Sequence, residues 1–390
     1  MESSGETTTL PGSGPGSTIT PLDAVNKNII IRDVDQQAWW KTTAPLLAKV
    51  LASARYSHAQ QIDYLTFYCK TCIPRLGPYP HRFRCGISLS GLPLEFSVNF
   101  KQYGSSHPIA RVGFEPLSLL SGTDRDLYNL IPTREFLGEL ERLQIPRFDT
   151  RLLEHFWPLH ILNQSEQDSL QGARPEGTDR YSQAMFGFDL QDDTISVKGY
   201  TLPVLKCRVT GQSVASLHQE TVRSLGPMMD CSAAFELMHA YMEEIGAYNR
   251  SAFFSWDCVA PAKSRLKFYG YDGDVTWSRI EELWTLGGRV QSATRARGLE
   301  YLRQLWDLME LPSGHRGLGE GFNPGANTAS TPIVYNHEIK AGNPVPSTKV
   351  YLPVHGENDG RIVRAVAEFL QIIGLEEYGT GLEQTVADCL

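Results

Sequence analysis

The chain has 390 residues, 41% hydrophobic and 21% charged, enough apolar material for one large core or two ordinary ones, and not the composition of a disordered protein. A formal net charge of −8 excludes a protein that coats nucleic acid or an anionic membrane, so any phosphate must be held by a local cluster of Lys and Arg. No apolar run has the length of a bilayer span and no signal-peptide pattern opens the chain, so a cytoplasmic protein without nucleic-acid or membrane partners is expected.

Residues 1–24 read as a disordered tail, because "MESSGETTTLPGSGPGSTIT" is small, polar and punctuated by Gly and Pro. Residues 25–390 read as a single domain. Apolar residues at three- and four-residue spacings predict two helices, through "DQQAWWKTTAPLLAKVLASARY" and "AQQIDYLTFYCKTC", ended by "GPYP" at 77–80. The seven cysteines fit reduced thiols rather than a disulfide framework, and the one CxxC, Cys69 and Cys72, reads as packed or idle thiols.

Strand patterns follow as four pairs: 84–100 with 109–116, 184–190 with 195–205, 252–259 with 264–271, and 332–339 with 348–354. Helical sequence separates the pairs, and a last helix follows in "GRIVRAVAEFLQIIG". The Gly-rich run at 314–325 lacks phosphate-loop and dinucleotide spacing and reads as a connector. Antiparallel hairpins spaced by helices predict an α+β fold, one antiparallel sheet of αββα repeats with helices outside, whose closure into a β-barrel would remove its edges.

In three pairs the second strand carries a lysine two positions before a tyrosine: Lys198 with Tyr200, Lys267 with Tyr269, Lys349 with Tyr351. One such pair is what any solvated strand face produces; three in equivalent positions ask for a common cause. Alternation puts Arg265 on the face of Lys267, with Leu266 and Phe268 on the other, and Arg111 holds the corresponding place in the first pair. Facing a lumen, these cations repel one another and lose solvation unless an anion joins them, and a diphosphate would satisfy Arg111, Lys198, Arg265, Lys267 and Lys349 together. Tyrosines beside it could shield a cation with their π faces, which points to an allylic diphosphate that ionises. The only adjacent aspartates, Asp192 and Asp193, read as a turn, so Lys and Arg rather than a metal would neutralise the leaving group.

Glu95 lies between Leu94 and Phe96 and by alternation faces away from both, so it could project into the same lumen as the cations. It is either a structural partner of an Arg or Lys, or an acceptor for the N–H of an electron-rich nucleophile.

Together "GPYP", "SGLPLEFS", "ARVGFEP", "VKGYTLP", "SRLKFYG", "WTLGGR" and "KVYLPVHGEND" resemble the fungal aromatic prenyltransferases of the dimethylallyltryptophan synthase type, over about residues 29–390, with the likeness strongest to members acting on tryptophan-containing cyclic dipeptides. The resemblance implies a ten-stranded ABBA barrel, no metal or other cofactor, and transfer of a dimethylallyl group from dimethylallyl diphosphate to an indole, in indole alkaloid secondary metabolism. It implies that Glu95 contacts the indole N–H, that Arg111, Lys198, Tyr200, Arg265, Lys267, Tyr269, Lys349 and Tyr351 bind diphosphate and shield the cation, and that Ile87, in the strand before Glu95, contacts the aromatic substrate. A homodimer is compatible with it. Two departures stand out: the family's last hairpin has no counterpart before "EQTVADCL", and "AMFGFDL" lacks the lysine found in members that alkylate free tryptophan at C4. The second favours a cyclic dipeptide as substrate. The first leaves a shortened, inactive homologue that keeps only ligand binding as the competing expectation.

Overall fold

The computed structural model describes residues 19–88, 90–100, 107–170, 182–317 and 331–388. Helix α1 (Pro21–Asn28) begins within the expected tail: Thr20 caps it by accepting the Asp23 N–H, Pro21 opens it, and Val25 is buried. Residues 21–24 are therefore helical, a correction that the cap and proline account for; the tail before residue 19 lies outside the described residues. Helices α2 (Val34–Ser53) and α3 (His58–Phe67) follow, the latter with a Ser57–Gln60 capping box. The CxxC lies in a π-helical turn, Tyr68–Cys72, and burial pushes both thiols up. None of the six described cysteines forms a disulfide.

The four expected pairs are hairpins: β1 (Leu94–Asn99) with β2 (Ile109–Phe114), β3 (Ala184–Leu190) with β4 (Ile195–Thr201), β5 (Ser251–Asp257) with β6 (Arg265–Asp272), and, after the two-residue strands β7 (Asp274–Val275) and β8 (Gly314–His315), β9 (Ile333–Lys340) with β10 (Ser347–Tyr351). They join in one antiparallel sheet in the order β1-β2-β3-β4-β5-β6-β9-β10. The start of the Gly-rich run is not a plain connector, since Gly314 and His315 pair with Val275 and Asp274; residues 318–325 of that run lie outside the described residues.

Strand β1 starts ten residues later than the pattern at 84 suggested. Residues 84–88 and 90–93 belong to no strand, with Gly91 at φ +81°, and Ile87 lies in this loop rather than in a strand; residue 89 lies outside the described residues. The apolar residues that mimicked a strand there pack in a satellite cluster, Phe83, Cys85 and Leu117 with Ile87 against them.

Helices between the hairpins, among them α4 (Leu130–Arg142), α5 (Arg151–His160), α8 (Val214–Leu225) and α9 (Ser232–Glu244), cover the outer face. Phe114, Phe186 and Phe188 of the sheet meet Phe136 of α4, with ring centroids 4.9–6.2 Å apart. Phe268 is fully buried against His218 and Phe235. Each such ring is worth about 1.5–3 kcal/mol through burial, so the outer face carries the main core.

The sheet is strongly curled. Arg111 on β2 and Lys349 on β10 are six strand steps apart in the pairing order, which in a flat sheet would place them about 29 Å apart, yet their charges interact. Glu95 and Tyr351, on the two edge strands, also interact. The edges β1 and β10 are not paired to each other among the described residues. Helices α12 (Asp359–Ile372), α13 (Glu376–Gly379) and α14 (Leu382–Ala387) run from the β10 side back to α2, where Arg55 pairs with Glu377 at 2.6 Å and lies over the Tyr378 ring. Among the described residues no helix is long and apolar enough to cross a membrane.

Candidate active site

The register shows which side chains share the concave face. Glu95 is opposite Gly113, Arg111 opposite Asp189, Gly187 opposite Lys198, Lys198 opposite Asp257, Ser255 opposite Lys267, Lys267 opposite Glu338, and Asn336 opposite Lys349. A two-residue period carried through these pairs brings Glu95, Arg111, Lys198, Tyr200, Arg265, Lys267, Tyr269, Lys349 and Tyr351 onto one surface.

The cations are held by acids of the sheet itself. Arg111 Nε donates to Asp189 Oδ1 at 2.5 Å, and Lys198, 1% exposed, reaches Asp189 at 2.6 Å and Asp257 at 3.0 Å. Arg265 takes both oxygens of Asp257, at 2.5 and 3.1 Å, and extends to Glu338 at 3.3 Å. Burial is the largest single influence on Asp189 and Asp257 and opposes their ionisation, but Lys198 with Arg111 at Asp189, and Lys198 with Lys267 and Arg265 at Asp257, together outweigh it, and both carboxyls lie well below the usual range. Arg111, Lys198 and Arg265 therefore have partners without a bound anion, contrary to the expectation from the cations alone.

Among the described residues the same three acids also draw Lys340, 3.4 Å from Glu338, and two further amines of the face are left without a close partner. Lys267 stands 3.9 Å from Asp257, whose oxygens are already engaged, and burial pushes its amine down to about 7. Lys349 has no carboxylate within 4 Å among the described residues and lies 5.9 Å from the Tyr351 ring; burial lowers it as well. These two amines are the unsatisfied positive charge of the face.

Next to them runs a row of rings. Tyr200 and Phe253 are 5.9 Å apart, Phe253 stacks on Tyr269 at 4.1 Å, and Tyr269 is 6.3 Å from Tyr351. Phe253 reaches the row beside a bulge in β5, where two residues, Ala252 and Phe253, oppose one in β6. Burial raises the phenols of Tyr200 and Tyr269, keeping them neutral donors.

Glu95 is open to water within this concavity, and desolvation by the surrounding wall raises its carboxyl while Arg111 opposes the shift. No Lys or Arg lies within ion-pair distance of it among the described residues, which sets aside its reading as a structural partner. Ile87 reaches the same place from its loop: its terminal methyl lies 3.2 Å from where a Cβ on Gly113 would stand, and the Glu95 Cβ lies 3.6 Å from that point.

Asp189, Asp257, Glu338, Asn336 and Phe253 belong to the site and were not singled out in the sequence. They stand on β3, β5 and β9, strands that carry none of the residues that were, so alternation along a strand could not reach them. What the sequence withheld was the register that sets Asp189 against Arg111 and Asp257 against Lys198.

Comparison with known proteins bears on the chemistry. Residues 35–385 match the family described as tryptophan dimethylallyltransferase. The chain is 44% identical over 367 residues to prenyltransferase phqI of Penicillium fellutanum, covering 94% of this chain and 79% of that protein. The crystal structure of NotF in complex with brevianamide F and DMSPP superposes with a TM-score of 0.84 at 37% identity, covering 95% of this chain and 90% of that one. That of AnaPT from Neosartorya fischeri gives 0.80 at 28% identity, covering 94% and 88%. A match over nearly the whole sheet and its helices, at this identity, places the chain in the tryptophan dimethylallyltransferase family of aromatic prenyltransferases.

Proposed function

We propose that the chain transfers a dimethylallyl group from dimethylallyl diphosphate to the indole ring of a tryptophan-containing cyclic dipeptide, without a bound metal, and that residues 25–390 act as one domain in doing so. The observation that carries this reading is a surplus of positive charge at Lys267 and Lys349 beside the row Tyr200, Phe253, Tyr269 and Tyr351, with Glu95 on the same concave face. Arg111, Lys198, Arg265, Lys267 and Lys349 would hold the diphosphate as it departs, and Tyr200, Tyr269 and Tyr351 would donate to it and line the allyl cation. Glu95 would accept the indole N–H, making the ring more nucleophilic, while Ile87 packs against it. Attack by the ring and loss of its proton complete the transfer, with the aromatic wall keeping water from the cation. NotF, whose crystal structure holds brevianamide F and DMSPP, supports the substrate class. The inward positions of β3 are Met185, Gly187 and Asp189, so this strand offers no amine to accept a proton from free tryptophan.

The test is incubation of purified protein with dimethylallyl diphosphate and cyclo-Trp-Pro, with and without EDTA, and detection of the product by mass spectrometry. Prenylated product of equal yield in both arms is expected; none from a soluble, folded sample refutes the reading. Glu95→Gln should lower turnover by ~10²-fold or more with diphosphate affinity retained, and unchanged turnover refutes the role of Glu95.

A further inference from the structure

Glu115 follows directly on β2, is 0% exposed, and has no Lys, Arg or His within 4 Å among the described residues. Its donors are neutral. Oε2 accepts the Gly86 N–H at 2.9 Å and Oε1 accepts Asn129 Nδ2 at 3.3 Å. Asn129 is held in turn: it has φ +55° at the start of α4, donates to the Pro116 carbonyl at 2.8 Å and accepts from Ser121 Oγ at 2.6 Å.

A carboxylate buried among neutral donors is costly, and a pair of apolar side chains would serve the core better. The geometry shows what the acid provides that an amide would not: two acceptors that join the Gly86 and Asn129 donors of two separate segments, with Cys85 of the first segment and Ser182 adding to them. One segment is the loop at 84–93, whose Gly86 precedes Ile87; the other is the start of α4. Between them runs the strand that carries Arg111 and Gly113. Gly86 fits closely here, since a Cβ on it would lie 3.1 Å from Leu202 Cδ2 and 3.3 Å from Ser182 Oγ, so the loop is fitted against the start of β3 and the end of β4. Burial pushes the Glu115 carboxyl up to about 7.

We propose that Glu115 is a positioning residue for the aromatic substrate: by clamping Gly86 to Asn129 it fixes the loop that holds Ile87 over Gly113 beside Glu95. This rests on the reading that the Glu95 end of the face receives the indole. Of the residues assigned to the diphosphate only Arg111 shares the strand that leads into Glu115, and Asp189 holds it; Lys198, Arg265, Lys267 and Lys349 stand on β4, β6 and β10, away from the clamp.

The experiment uses Glu115→Gln, Ile87→Ala and the double variant in the full chain. In Glu115→Gln, KM for cyclo-Trp-Pro should rise at least fivefold while KM for dimethylallyl diphosphate stays within twofold. Amides of residues 84–88 should exchange with deuterium at least tenfold faster, with β5 and β6 unchanged as the control for folding. In the Ile87→Ala background, Glu115→Gln should add little, because it acts through the residue already removed. Equal rises in both KM values, additive effects, or unaltered exchange at 84–88 overturn the proposal. Absence of any product from the wild-type chain instead refutes the prenyltransferase reading, and the exchange measurement still decides whether Glu115 clamps the loop.

Discussion

Lys198 and Lys267 lie on neighbouring stretches of the same face and differ in company. Lys198 is enclosed by Asp189 and Asp257, whereas Lys267 has only the distant oxygen of an Asp257 that already serves Lys198 and Arg265. With its amine lowered to about 7, Lys267 is charged below neutral pH and increasingly neutral above it. A diphosphate favours the charged amine, so its affinity should weaken as pH rises from 6 to 8.5, by up to about tenfold per unit above the midpoint. Steady-state KM for dimethylallyl diphosphate across that range checks this. Lys267→Arg, which keeps its charge, should flatten the profile; a flat profile in the wild type would contradict the assignment.

The Lys-x-Tyr repeat also has a meaning at the level of the strand. The middle residue of each points outward: Gly199 beneath Trp256, Phe268 into the core, Val350 packed against it. The three middle residues differ because the helices above them differ, while the flanking Lys and Tyr recur because the lumen is shared. A Cβ at Gly199 would lie 2.4 Å from Trp256 Cζ2, and Trp256 is itself wedged against Phe156 and Phe254. Gly199→Ala should therefore cost about 1–3 kcal/mol by overpacking, measured by denaturant unfolding. Phe268→Ala should cost about 3–5 kcal/mol, through the cavity it leaves. A neutral result for Gly199→Ala would mean that the indole of Trp256 moves freely, against its 2% exposure. Hairpins, helices and inward faces were legible because periods of 2 and 3.6 are local; the loop at 84–93 was misread because an apolar satellite cluster has the composition of a strand without its pairing.

Across the molecule, the layer between sheet and helices holds neutral histidines. His160 is tied to Thr201 and Thr221 at 2.7 and 2.8 Å, His218 has neither ring nitrogen bonded, and burial holds His218 and His337 down to about 3. The unfolded chain protonates these rings near pH 6.5, while the folded one does not until far lower. Their contribution is thus complete above about 6.5 and is lost as pH falls, by roughly 1.4 kcal/mol per unit for each ring. From pH 7 to 5 the two together should remove about 4 kcal/mol, a large share of a typical ~5–15 kcal/mol stability. Asp189 and Asp257 act lower, since their pairing is lost only below the ordinary carboxylate range. Thermal melts should show Tm dropping between pH 6.5 and 5, less so in His218→Leu; equal Tm at pH 7 and 5 would contradict this account.

By itself the sequence determined the four hairpins, their helical spacers, the face of each strand and the family, because each of these is written in local periodicity or in ordered motifs. Only the tertiary structure decided which charges meet. Asp189 neutralises Arg111 and Lys198, and Asp257 binds Lys198 and Arg265, through a register between strands that no local pattern specifies. The curl of the sheet brings Arg111 within range of Lys349, and the fold of the loop at 84–93 carries Ile87 to Glu95. The surplus charge at Lys267 and Lys349, on which the proposed chemistry turns, is a property of that arrangement: it is what remains after the acids of the sheet have been assigned to their neighbours.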